Sequence, residues 1–178
     1  MPPVILSFWF AELTPADWWR ADPLLDAKIR ARFGSIHEAA VAGELFEWRT
    51  TPGGRLAEII VLDQFSRNIH RGTPRAFAAD PMALALAQEA VAAGVDVLLP
   101  VMQVAFLYLP YMHSESRRIH RLAEQLFRRE GLEKNHESEL RHRAIIERFG
   151  RYPHRNAILG RASTAKEEAF LEQPDSGF

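Results

Sequence analysis

Three short stretches concentrate side chains able to do chemistry. In the first, LDQFSRNIHRG, Asp63, Gln64, Arg67, Asn68 and Arg71 recur at helical spacing, which on a helix gives one polar face on an otherwise apolar rod. The second, Tyr111-Met112-His113-Ser114-Glu115, sets a histidine beside a carboxylate, a pairing that can tune a proton donor or acceptor. The third, RFGRYPHRN, carries Arg148, Arg151, His154, Arg155 and Asn156. Guanidinium forks match carboxylates and phosphates in a bidentate fashion. Together these residues fit capture of an anion beside an acid/base group. His113 or His154 would move the proton, with Asp63 as orienting group or base. Arg67, Arg71, Arg151 and Arg155 would hold the charge, and Gln64, Asn68, Glu115, His142, Arg148 and Asn156 would complete the ligand-binding set. The three stretches are expected to meet in space.

Each stretch also has a plainer reading. Asp63 and Arg67 form an i,i+4 acid–base pair, a common feature of solvated helix faces. Against this, the face carries neither Lys nor Glu and is flanked by Phe65 and Ile69, which suits a partly buried network, functional or structural. Ser114 and Glu115 fit a helix start, as cap and first-turn acid. Arg148 and Arg151 fit a helix C-terminus, with Gly150 in the left-handed position.

Other chemistries lack their signatures. Two Glu-x-x-His runs, Glu133 to His136 and Glu139 to His142, lie in one segment, whereas a di-iron site needs the motif on facing helices. No metal or cofactor is expected. Ser66 and Ser114 have no nucleophile elbow around them, and Thr51-Pro52-Gly53-Gly54 lacks the lysine of a phosphate loop.

The elements that must position these residues read as helices. An apolar segment at 4–10 precedes Thr14-Pro15, and Asp22-Pro23 starts a helix running to Gly34. A second piece, 35–42, stops at Gly43. The central helix follows the Thr51–Gly54 turn, with Leu56, Ile59, Ile60, Leu62, Phe65 and Ile69 buried, and stops at Gly72-Thr73-Pro74. Asp80-Pro81 starts another that ends before Gly94, and Pro100 and Pro110 bracket an almost wholly apolar one. Ser114 or Ser116 caps a helix with Ile119, Leu122, Leu126 and Phe127 inward, and Gly131 ends it. A helix over 137–149 stops at Gly150, and Thr164 to Glu167 is a capping box for a last short helix before a frayed tail, 173–178. Trp9, Phe10, Trp18 and Trp19 pack the N-terminal helices. Residues 95–99 are strand-like but too short to found a sheet. The expected class is therefore all-α: antiparallel helical hairpins forming one domain over residues 1–178.

Composition excludes several functions. The formal net charge of −1 provides no field for nucleic acid. Arginines number 19 against 3 lysines; codon bias explains that as readily as anion binding, so position must decide which arginines matter. The chain has no cysteine, which removes disulfides and thiolate chemistry. The N-terminal apolar run lacks a basic leader and is too short to span a bilayer. A cytoplasmic protein without a membrane partner is expected, its protein partners open.

The blocks FWF, WWRADPLLDAKIRARFG, LDQFSRNIHRGTPRAFAADPMAL, FLYLPYMHSES and HRAIIERFGRYPHRNAILGRAST resemble, in order, a bacterial family catalogued as domain-of-unknown-function family 924. The resemblance spans essentially the whole chain and implies a tetratricopeptide-repeat-like, right-handed helical array. It implies no activity and no catalytic residues. From the residues, the first expectation is a binding module for an anionic small molecule or peptide. The alternative is an enzyme acting on a small anion at the same site. In a third reading the blocks merely lock helices together.

Overall fold

The computed structural model describes residues 1–174, 176 and 177; of the expected frayed tail, Asp175 and Phe178 lie outside the described residues. The central element begins at α4, Pro52–Ile60. Thr51 caps it, its hydroxyl accepting from the Gly54 amide at 3.1 Å. The helix widens into a π-turn, Val61–Phe65, and returns to α geometry as α5, Ser66–Ile69. Residues 56–66 are all buried, because neighbours cover the rod on several sides. Those neighbours are α1 (Pro2–Ser7), α3 (Pro23–Val41), α6 (Asp80–Ala92) and α7 (Val101–Met112). Phe8, Trp9, Phe33 and Phe65 stack around its middle, Phe33 and Phe65 with centroids 5.1 Å apart. Trp18, on the short α2 (Pro15–Trp18), and Trp19 close over Phe106.

One expectation is corrected: the predicted single polar face is split. Neighbouring positions on a helix point about 100° apart, so Arg67 stays with Asp63 towards α6 and α7 while Asn68 and Arg71 face α3.

The other helices follow in order. Those are α8, Arg117–Phe127; α9, Glu133–Phe149; and α10, Ala165–Leu171. From α6 to α9 each helix packs on its neighbour in sequence. The all-α class is what the chain adopts: no strand occurs among the described residues. Residues 95–99 instead hold a 3₁₀ turn, Val95–Val97.

Several boundaries differ from the sequence reading, for physical reasons. α3 runs through Gly34 without a break. A lone glycine costs a helix only about 1 kcal/mol, and Ile29, Phe33, His37 and Ala40 bury a continuous stripe on either side of it. α7 passes Pro110 and ends at Met112, because residues 104–112 are all buried and packing holds the turn that lacks one hydrogen bond. Ser116, not Ser114, caps α8, and the buried stripe there is His120, Ala123 and Phe127, with Leu122 turned outward. α9 starts four residues earlier than predicted, at Glu133. Among the described residues no helix is long and apolar enough to cross a membrane.

Candidate functional site

The π-turn presents Asp63, only 1% exposed, to the end of α7. Its Oδ1 accepts from His113 Nδ1 at 2.7 Å and its Oδ2 from Gln64 Nε2 at 2.6 Å. One turn on, Arg67 donates to the Asp63 carbonyl at 2.7 Å and forks onto Asp80, at the start of α6, at 2.9 and 3.0 Å. Arg155 arrives from the 3₁₀ turn Pro153–Arg155. It donates to the His113 carbonyl at 3.1 Å and, at 3.4 Å, to the same Asp80. The Phe77 ring lies under both guanidinium groups, 5.6 Å from Arg67 and 4.5 Å from Arg155. All three stretches thus contribute to one cluster, as expected. Asp80 is the member the sequence reading missed. Asp80-Pro81 was legible as a helix start, and nothing in its spacing ties it to Arg67.

Protonation follows from these contacts. Burial penalises the Asp63 charge, yet Arg67 and His113 beside it hold its carboxyl well below the usual range. Burial, with the Arg67 charge, pushes His113 below its ordinary value against the pull of Asp63. A carboxylate can only accept. The ring proton of a neutral His113 therefore sits on Nδ1, and Nε2 is left as the basic nitrogen.

A second tier lies behind Arg155. Glu115 is not a first-turn acid, since α8 begins two residues later. It accepts the Tyr152 amide at 2.7 Å and a fork from Arg161 at 2.7 and 2.9 Å. Arg161 also donates to Asn156 Oδ1 and the Tyr152 carbonyl. Tyr152 is fully buried; its hydroxyl donates to the Met112 carbonyl at 2.6 Å. His142 donates to the Ser138 carbonyl at 2.8 Å and meets the Tyr152 ring edge-on, while His154 tilts across the same ring. Burial pulls His142 down to about 3 and His154 to about 4. Beneath Tyr152, His120 pairs with Glu139 at 2.7 Å, both side chains being wholly buried, and burial pushes the Glu139 carboxyl up. The sequence reading missed this pair, having read Glu139 only as half of a metal motif.

Four predicted residues lie elsewhere. Asn68 and Arg71 bond Asp26 of α3, Arg71 as a fork at 2.6 and 2.9 Å. Arg151 forks onto Glu167 at 2.6 and 2.7 Å, and Arg148 lies over Phe149 and Phe170. Gly150, left-handed at φ 72°, turns the chain after α9. Arg148 and Arg151 flank that bend on the α10 side, and Arg155 and Asn156, further on, go inward.

Within the cluster the hydrogen bonding is uneven. Arg161 and Arg67 use their donors on short contacts. Arg155, its side chain 8% exposed, makes two longer ones, and its Nε is buried without a partner. Beside it, His113 Nε2 makes no hydrogen bond among the described residues. These two residues therefore keep unused hydrogen-bonding capacity, as does the buried Oε2 of Glu139 in the tier behind them.

The model of a family of bacterial proteins of unknown function, DUF924, matches residues 5–175. The chain belongs to that family. A solved structure of a protein of unknown function from Agrobacterium tumefaciens is similar throughout: 37% identical, covering 96% of each chain, with a TM-score of 0.91. No curated protein matches. For this DUF924 protein the chemistry therefore has to be read from side chains. Among the described residues no group of three or more His, Asp or Glu is placed to hold a metal ion. Of the two Glu-x-x-His runs, Glu139 is turned to His120 and His142 to its own helix backbone.

Proposed function

We propose that this protein binds a small anionic molecule at His113 and Arg155. The observation that supports it is the buried guanidinium of Arg155, whose Nε has no partner and which holds the carbonyl of His113, a residue whose Nε2 is left basic. Buried polar groups are ordinarily paired, so a donor left open next to an open base suits a ligand that supplies the acceptor. A small molecule fits better than a peptide. The open groups invoked lie on two residues linked by one hydrogen bond, whereas peptide capture needs contacts strung along a groove.

Charge refines the reading. Asp63 and Asp80 balance Arg67 and Arg155, so an added anion is best accommodated with one proton on His113 Nε2. Binding then takes up a proton and tightens as pH falls. Asp63 positions His113, and Arg67 shares Asp80 with Arg155; Asn68, Arg71, Arg148 and Arg151 lie apart from the site. The setting that goes with this reading is cytoplasmic, consistent with the absence of cysteine, and neither nucleic acid nor membrane is a partner. The same geometry favours one further reading, an enzyme with His113 as general base oriented by Asp63, because the 2.7 Å contact fixes its tautomer.

Calorimetric titration with citrate and inorganic phosphate tests the proposal. One charge-assisted hydrogen bond contributes about 1.5–3 kcal/mol, so Arg155→Met should weaken binding about tenfold or more, and His113→Asn should abolish proton uptake. Equal, weak heats in wild type and both variants would overturn it.

A further inference from the structure

A separate cavity of about 390 Å³ opens between α3 and the end of the central helix, and none of the His113–Arg155 cluster lines it. We propose that this cavity is a second site, built for a phosphate group carried by a small molecule. Cation excess is the first ground. Of the three arginines around it, Arg71 is spent on Asp26. Arg30 and Arg75 have no carboxylate partner among the described residues, and Glu38 is the single acid in the lining. Arg30 is tethered through one N–H to the Ile69 carbonyl and lines the opening.

The imidazoles are the second ground. Ser66 spends its proton on the Leu62 carbonyl at 2.6 Å, so His37 Nε2–H donates to Ser66 Oγ at 2.7 Å and His37 is fixed in place. The His70 ring lies 5.2 Å away, and its Nε2 is buried with no partner. Both rings sit in a positive potential. Burial, then neighbouring cationic groups including Arg75, pushes each below its ordinary value.

Gly34 is the third. It lies in the interior of α3 and lines the cavity, and a Cβ there would meet nothing within 4 Å. Packing does not require this glycine, and the helix is weakened by it. Its missing side chain keeps one wall of the cavity open.

The class of ligand follows from the directions of approach. Arg30 comes from α3, His70 from the helix end, and Thr73 and Arg75 from the following turn. A planar carboxylate suits one fork, whereas a tetrahedral phosphate accepts from several sides at once. The volume lies at the small end of ligand pockets, which run from about 300 to 1,000 Å³.

The test is calorimetric titration of the full chain with inorganic pyrophosphate. Wild type, Gly34→Leu, Arg75→Met and Arg155→Met are compared, each with its urea midpoint. We expect Gly34→Leu to fill the cavity and lose at least tenfold in affinity while its midpoint stays level or rises, leucine being the better helix former. Arg75→Met should lose a similar factor, and Arg155→Met should still bind. Absence of saturable binding to wild type, or undiminished binding in Gly34→Leu, would overturn the proposal. So would loss in Arg155→Met alone, which would assign pyrophosphate to the first site instead.

Discussion

Arg161→Met should destabilise this protein by about 2–3 kcal/mol. The guanidinium forks onto Glu115 at 2.7 and 2.9 Å and reaches the Tyr152 carbonyl at 3.1 Å and Asn156 Oδ1 at 3.0 Å. Methionine keeps much of the bulk and removes all four contacts. Glu115 is then left with the Tyr152 amide, at 2.7 Å, as its remaining hydrogen bond. Breaking a fully buried pair costs about 3–5 kcal/mol and an exposed pair about 0–1. Here the side chains are 24% and 27% exposed, so the value falls between, nearer the buried limit. In a chain of this size that is about 4–12 °C in Tm. The assay is urea denaturation of wild type, Arg161→Met, Glu115→Gln and the double variant. Neutralising Glu115 removes the stranded charge, so the double variant should be less damaged than the sum of the singles, by about 1–2 kcal/mol. A loss below about 1 kcal/mol with simple additivity would refute the reasoning, since it would make the pair an ordinary surface contact.

Two further outcomes are expected. Stability should fall steeply with acid below the ordinary histidine pKa. His37 and His142, buried, and His154, half-buried, are held down to about 4, about 3 and about 4, so the unfolded chain takes up protons that the folded chain refuses. Stability is whole above about pH 6.5, and each histidine removes about 1.4 kcal/mol per pH unit as pH falls towards 4; urea midpoints at pH 7, 6 and 5 check this, and His142→Phe should flatten the slope by about a third. Gly54→Ala should cost about 3 kcal/mol, because its Cβ would lie on the Trp48 carbonyl at the 3₁₀ turn Phe46–Thr50, and backbone would have to move; a thermal melt within about 1 °C of wild type would contradict it.

What the sequence disclosed and withheld has physical causes. Capping and proline signals at Thr14-Pro15, Asp22-Pro23 and Thr164–Glu167 are local, and each marks a helix start in the fold. The apolar period of the central helix is equally local. Interruptions were misjudged wherever tertiary packing outweighs a local penalty, as at Gly34 and Pro110. The split of the polar face between Asp80 and Asp26 depends on which helices dock on each side, which residue types do not disclose. The Asp63–Arg67 pair, four residues apart, was legible. The further partner of Arg67 and the partners of Arg71 and Arg151 are instead acids of other elements, Asp80, Asp26 and Glu167, and charge alone gives no register between them. The His120–Glu139 pair shows the same limit: on α8 and α9 each residue looks like part of a polar face until the helices are docked.

The most direct measurement is the urea midpoint of Arg155→Met, taken with and without a bound anion. Asp80 stays forked by Arg67 at 2.9 and 3.0 Å when Arg155 is removed, so no charge is stranded. What goes is a buried cation whose Nε has no partner. The account predicts a midpoint equal to or above wild type, together with loss of the protection that citrate or phosphate gives the wild type. A fall of about 3 kcal/mol, matching loss of a buried structural charge, with anion protection intact, would contradict it and make Arg155 a lock between helices.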